Sequence, residues 1–248
     1  MADVPVPPGY PGAPERTVDG EPPAPRFHHD VLHGFEVPLD QVDVQRMEAK
    51  RRLADEARRL VEAVMLYDTA EVDVETTDDL IRRLGEVADA LAEQPDLRAY
   101  GSVALGPPVA SALDQRSPIS GVANPIAPPM DIVFDGDKTR ATATYGPAYE
   151  GPPFHVHGGW VIAAFDELLG VAQVAGNAPG MTGTLTIRLT KPTPIGKRVD
   201  YVGWVDRVDG RKTFAKGEAR IDGEVVAEAE GIFIAPRNWV AAMEDGSP

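Results

Sequence analysis

The 248-residue chain carries 39 acidic and 24 basic side chains, for a formal charge of -15, so nucleic-acid and anionic-membrane partners are not expected. With 43% hydrophobic residues it can bury one substantial core; with no cysteine it has no disulfide framework, thiolate metal site or thiol nucleophile. No apolar run approaches the roughly 20 residues that span a bilayer, and Met1 to Pro25 holds acids and prolines where a secretion signal needs basic and then apolar residues, so a soluble, cytoplasmic protein is expected.

Residues 1–35 are rich in proline and poor in large apolar side chains, and are expected to be disordered because they cannot offset their ordering entropy. Helical periodicity follows over 36–100. Leu53, Ala57, Leu60, Val61 and Val64 form one apolar stripe, flanked by Arg51, Arg52, Arg58 and Arg59. A second helix is expected to open at Thr77, with Asp78 and Asp79 in its first turn, and to carry Leu80, Ile81, Leu84, Val87, Ala88 and Leu91 on one face before Pro95. The pair reads as a helical hairpin packed on a larger body. Scattered prolines make 101–128 a linker.

From 129 the period becomes two. Met130 to Phe134 and Lys138 to Tyr145 flank Asp135-Gly136, a common hairpin pair. Thr182 to Lys191 alternates, with Leu185, Ile187 and Leu189 on one side and Thr184, Thr186 and Arg188 on the other. Arg198 to Asp209, Lys212 to Ile221 and Glu224 to Ala235 follow, joined by Asp209-Gly210 and Asp222-Gly223, as an antiparallel meander. Gly203 and Gly217 read as bends or bulges. Between the second and third strands, Gly158 to about Gly176 is apolar on most sides, so it should be an enclosed helix. An α+β domain over 129–236, a curved antiparallel sheet wrapped around one helix, is the expectation, with a tail at 237–248.

Asp166 lies within that apolar helix. A carboxylate there is costly unless it is hydrogen-bonded or faces a cleft, so it is either paired with a strand Arg or backbone amide, or works as a general base or nucleophile. Glu167 is about 100° further round and need not share its face. His157-Gly158-Gly159 precedes the helix, and glycines at a helix start let exposed N–H groups approach a developing negative charge.

The stretch from Tyr149 to Gly159, with Asp166 nine residues after His157, resembles the PaaI-like and THEM4-like hotdog thioesterases. The resemblance continues through Gly180-Met181-Thr182, Thr190-Lys191-Pro192, Asp209-Gly210-Arg211-Lys212 and Glu228 to Phe233, with Ser117-Pro118-Ile119-Ser120-Gly121 and Asn124-Pro125 upstream. It covers about Ser117 to Pro236. It implies a hotdog fold and hydrolysis of acyl-CoA to free acid and coenzyme A. Asp166 matches the catalytic carboxylate, Gly158 the glycine whose N–H polarises the thioester carbonyl, His157 the motif histidine, and Thr182 the hydroxyl residue that orients water. In the family two subunits share each site, so a homodimer or dimer of dimers is implied. No cofactor or metal is implied.

Gly159 and His155 join the candidate substrate-binding residues, and Lys191, Arg211 and Lys212 are candidates for coenzyme A phosphates against a plain solvated role. His28, His29, His33, His155 and His157 show no ligand spacing of a known kind. Three features depart from the family: Phe154 and His155 stand where many members have smaller residues, Trp160 follows the glycines, and Gly151 stands where some relatives have Asn. The long N-terminal appendage and the Phe154-His155 departure motivate a competing reading, a non-catalytic acyl-CoA-binding scaffold that uses the helical hairpin for a partner.

Overall fold

The alternating segments of the chain become six antiparallel strands, and the apolar segment between the second and third becomes the helix they enclose. A computed structural model describes residues 44–94, 117–128, 130–176 and 178–236. The proline-rich lead-in at 1–35, the linker's first part at 101–116 and the tail at 237–248 lie outside these residues, as do His28, His29 and His33. Helices α1 (Val44–Met65) and α2 (Val74–Ala92) precede strands β1 (Met130–Asp135) and β2 (Lys138–Thr144). A 3₁₀ turn at Pro147–Tyr149 leads to helix α3 (Gly158–Ala175), then β3 (Met181–Leu189), β4 (Arg198–Asp209), β5 (Lys212–Ile221) and β6 (Glu224–Ile234). The spatial order β1-β2-β4-β5-β6-β3 leaves β1 and β3 at the sheet edges. This is the hotdog architecture that the resemblance implies.

α3 lies on the inner face of the sheet through Val161, Ala164, Phe165, Leu168, Leu169 and Ala172, all buried. Gly203 and Gly217 are not bulges: they sit opposite each other in regular β4–β5 register. An added Cβ would come within 3.1 Å of Leu168 Cγ at Gly203, and within 3.0 Å of Val202 O and 3.2 Å of Leu169 Cδ2 at Gly217, so the helix crowds both positions and the neighbouring strand also crowds Gly217. The Asp222-Gly223 turn has positive φ at both residues (51° and 82°), the two-residue geometry that suits the twist of paired strands. α3 spans the segment expected from the sequence, but the expectation that no run nears a bilayer-spanning length changes: its 18 residues, mean hydropathy 1.2, suffice by length and composition to cross a membrane, and its packing against the sheet accounts for that composition.

Two expectations for the N-terminal helices change. α2 opens at Val74, ahead of Thr77, because the Asp73 side chain accepts from the Thr76 N–H (2.7 Å) and caps the helix; those bonds also lower the Asp73 pKa. The helices do not close as a self-packed hairpin. α2 has no buried residue, and Leu80, Ile81, Leu84, Val87 and Leu91 are exposed. α1 rests on the sheet domain through buried Ala54 and through Arg58, which donates to the carbonyls of Asn124 (2.7 Å) and Val122 (3.2 Å). Its own stripe of Leu53, Leu60, Val61 and Val64 faces outward.

Candidate active site

His157 ends the loop before α3 in extended conformation (φ -60°, ψ 128°) and caps the helix: its Nδ1 accepts from the Gly159 N–H at 3.0 Å. An accepting Nδ1 leaves the proton of the neutral ring on Nε2. His157 is itself fixed by donating its N–H to Tyr149 O (2.8 Å). The cap engages Gly159, so Gly158 supplies the helix-terminal N–H, which has no acceptor among the described residues. It lies at the positive end of the α3 dipole. Gly151 packs against the same histidine; a Cβ there would stand 2.7 Å from His157 Cα.

Asp166 is exposed on α3, two turns beyond Gly158. Thr182 Oγ1 donates to its Oδ1 at 2.9 Å, and no cation pairs with it among the described residues. The strand-Arg pairing allowed by the sequence is therefore absent there, and the second carboxylate oxygen is open. Thr182 reaches Asp166 through a bulge. Along β3, Thr184, Thr186 and Arg188 face away from the helix, and regular alternation would carry Thr182 to that outer face. The β3–β6 register shifts between Thr182 and Thr184, so Thr182 turns to the helix side opposite buried Phe233. Gly183 is the inserted residue; a Cβ there would meet Ile234 Cδ1 at 3.0 Å.

Glu167 turns to the other flank, where it accepts from Ser117 Oγ (2.7 Å) and from Ser120 Oγ. Ser117 Oγ also accepts the N–H groups of Ile119 and Ser120, so the carboxylate clamps 117–120 to α3. The sequence reading separated the two acids but missed this clamp; the paired serines of Ser117-Pro118-Ile119-Ser120 were its only signal. Trp160 is turned inward, its ring 5.0 Å from that of Tyr149 at 86°.

The remaining candidates are spread along β3. Thr182 is opposite Phe233, which is opposite Thr213, so Arg211 and Lys212 lie at the Asp166 end. Lys191 follows the other end of β3 and pairs with Glu224. Arg211 donates to Ala235 O (3.0 Å), and His155 is held by a 2.8 Å contact from Nδ1 to Pro153 O. No three His, Asp or Glu side chains converge among the described residues. A groove of about 310 Å³ lined by Thr186, Arg188, Trp204 and Lys216 lies on the outer sheet face, away from Asp166.

Chemically, the arrangement offers an oriented carboxylate with one open oxygen and, separately, an open N–H at a helix start. No protein-family model matches the chain. Two acyl-coenzyme A thioesterases THEM4 resemble it: that of Xenopus laevis is 34% identical over 91 residues, covering 36% of this chain and 41% of the relative. That of Bos taurus is 32% identical over 108 residues, covering 42% and 44%. The match thus spans less than half the length of these relatives. A solved structure described as a thioesterase superfamily protein is 32% identical, with a TM-score of 0.64, covering 75% of this chain and 94% of that one. That match extends beyond the sheet domain, since 117–236 is less than half of the chain.

Proposed function

Since the chain belongs to the thioesterase superfamily, we propose that it hydrolyses acyl-CoA thioesters in a homodimer, with each site built from one copy's Asp166 and the other copy's Gly158. The observation that carries the second half is a distance. Eight residues of α-helix separate Gly158 from Asp166, about 12 Å along the axis. One carbonyl cannot meet both groups in a single copy.

The fold supplies a way to bring them together. α3 runs antiparallel to β3: Gly158 lies beside Leu189, where an added Cβ would be 3.1 Å from Leu189 Cδ1, and Asp166 bonds Thr182. No residue of β3 is buried, and Met181 and Leu189 are 65% and 48% exposed. A long, bare edge strand is a template for pairing. Two β3 edges paired antiparallel about a two-fold axis at Thr186 set Thr184 of one copy opposite Arg188 of the other, and the bulge at Gly183 then brings Thr182 opposite Leu189. Each Asp166 then meets the other copy's Gly158 N–H, twice per dimer. The same operation brings Lys191 of one copy toward Arg211 and Lys212 of the other, a local basic group for the coenzyme A phosphates on an otherwise acidic protein.

The chemistry follows from the groups present. Thr182 fixes one oxygen of Asp166, and the open oxygen accepts a proton from water as that water attacks the thioester carbonyl. The Gly158 N–H stabilises the oxyanion. Collapse breaks the C–S bond, and the departing thiolate recovers the proton from Asp166. Attack by the carboxylate itself, through an acyl-enzyme anhydride that water then opens, uses the same groups.

The test is coenzyme A release from short, long and aryl acyl-CoAs by the parent and by Asp166→Asn. The reading expects a loss of about 10²–10⁴ in kcat with the fold retained. Acyl-CoA binding with no turnover in either protein would instead support the non-catalytic scaffold.

A further inference from the structure

Pro152 O accepts from the His155 N–H at 2.9 Å, closing a four-residue turn with Pro153 and Phe154 at its centre. Pro153 holds its own φ negative, and Phe154 has φ 65°, so the turn is type II. That third position ordinarily takes glycine or asparagine, and a bulky side chain there is strained. The strain is held locally: the Phe154 N–H donates to the Glu150 carboxylate, the Ile195 N–H donates to Phe154 O at 3.0 Å, and the Gly151 N–H donates to His155 O at 2.9 Å.

Burial does not offset it. Phe154 is 51% exposed, whereas Phe165 and Phe233 are fully buried. The turn is the tip of a short hairpin whose Glu150–Val156 bridge leads into His157, the cap of α3, so Phe154 stands on the loop that delivers the Gly158 N–H. Trp160, which directly follows the glycines, instead packs edge-to-face against Tyr149 at the core. A strained residue whose side chain stays half-exposed in its own fold marks a position kept for something other than stability.

We propose that Phe154 is a specificity-determining residue whose ring packs against the apolar body of the acyl group held by its carbonyl at Gly158, selecting acyl chains longer than acetyl. This rests on the thioesterase reading and extends it to a substrate class. The test compares the parent with Phe154→Gly and Phe154→Leu on octanoyl-CoA and acetyl-CoA. Phe154→Gly should raise Tm, since glycine accepts the left-handed turn. It should also lower kcat/KM for octanoyl-CoA by about tenfold while changing acetyl-CoA less than about twofold. Phe154→Leu should keep most of the octanoyl preference.

The same pair of ligands, titrated calorimetrically into Asp166→Asn and Asp166→Asn/Phe154→Gly, reads the contact without chemistry. Equal losses for both chain lengths, or none, would overturn the proposal. Phe154-dependent octanoyl preference in a parent protein that turns over nothing would uphold it while removing the hydrolase reading. Failure of both acyl-CoAs to bind would remove both readings.

Discussion

Gly158 and Asp166 stand on one face-bound helix, about 12 Å apart, each at a different end of β3. The helix that makes Gly158 a donor also holds it away from the carboxylate beside Thr182. The proposed dimer answers this: a second copy, inverted across the β3 edge, would let both serve one carbonyl.

Gly158→Pro should separate the amide from the fold. Proline suits the first turn of a helix, and His157 already has the extended conformation preferred before proline. The variant should stay folded and lose about 10²–10³ in kcat, as expected for a missing oxyanion donor. Gly158→Ala keeps the N–H and asks only a small shift of Leu189, so it should retain far more activity. Circular dichroism and turnover of both variants check this.

Thr182→Val should lower kcat by about tenfold to a hundredfold with little change in stability, because Thr182 is exposed and orients the carboxylate without being the base. Gly183→Ala should act at the same point by disturbing the bulge. Steady-state kinetics alongside urea unfolding separates these effects from a general loss of structure.

Ser117→Ala should destabilise the fold by about 1–3 kcal/mol in urea unfolding. It removes one donor to Glu167 and the acceptor of two backbone N–H groups in a buried position. Activity measured well below Tm should change less than in Thr182→Val, since the clamp lies on the opposite flank from Asp166.

Alkaline pH should weaken the fold through its tyrosines. The Tyr145 and Tyr201 hydroxyls meet at 2.8 Å inside the core; burial pushes Tyr145 up to about 12 and Tyr201 well above its usual range, and burial also raises Tyr149 to about 12. An unfolded tyrosine ionises near pH 10. Above that the unfolded chain binds fewer protons than the folded one, so stability is intact below about pH 10 and falls as pH rises through about 12. Tyr145→Phe/Tyr201→Phe removes both partners together and should flatten that fall. An unchanged slope in denaturation at pH 9 to 12 would contradict it.

Strands and the central helix were legible because their signals are local: period-two alternation, Asp-Gly turns, and an apolar run too long for a strand. The placement of Gly158 at the helix start and of Asp166 on the helix was legible through the apolar run that holds them. The bulge at Gly183 was not, because one inserted residue reverses which face Thr182 occupies without changing composition. The start of α2 was misplaced because Thr77 with Asp78 and Asp79 carries the same kind of capping signal as Asp73 with Glu75, and it is the Asp73 side chain that bonds the Thr76 N–H. The open packing of α1 and α2 depends on tertiary contacts, and an amphipathic pattern does not say what covers its apolar face.

The most direct measurement is complementation between two inactive variants. Asp166→Asn and Gly158→Pro proteins are unfolded together, refolded as a mixture, and assayed for coenzyme A release. If each site takes Asp166 from one copy and Gly158 from the other, mixed dimers carry one intact site and the mixture should recover about a quarter of parental activity. A mixture as inactive as its two components, with mixed dimers shown to be present, would contradict the shared site.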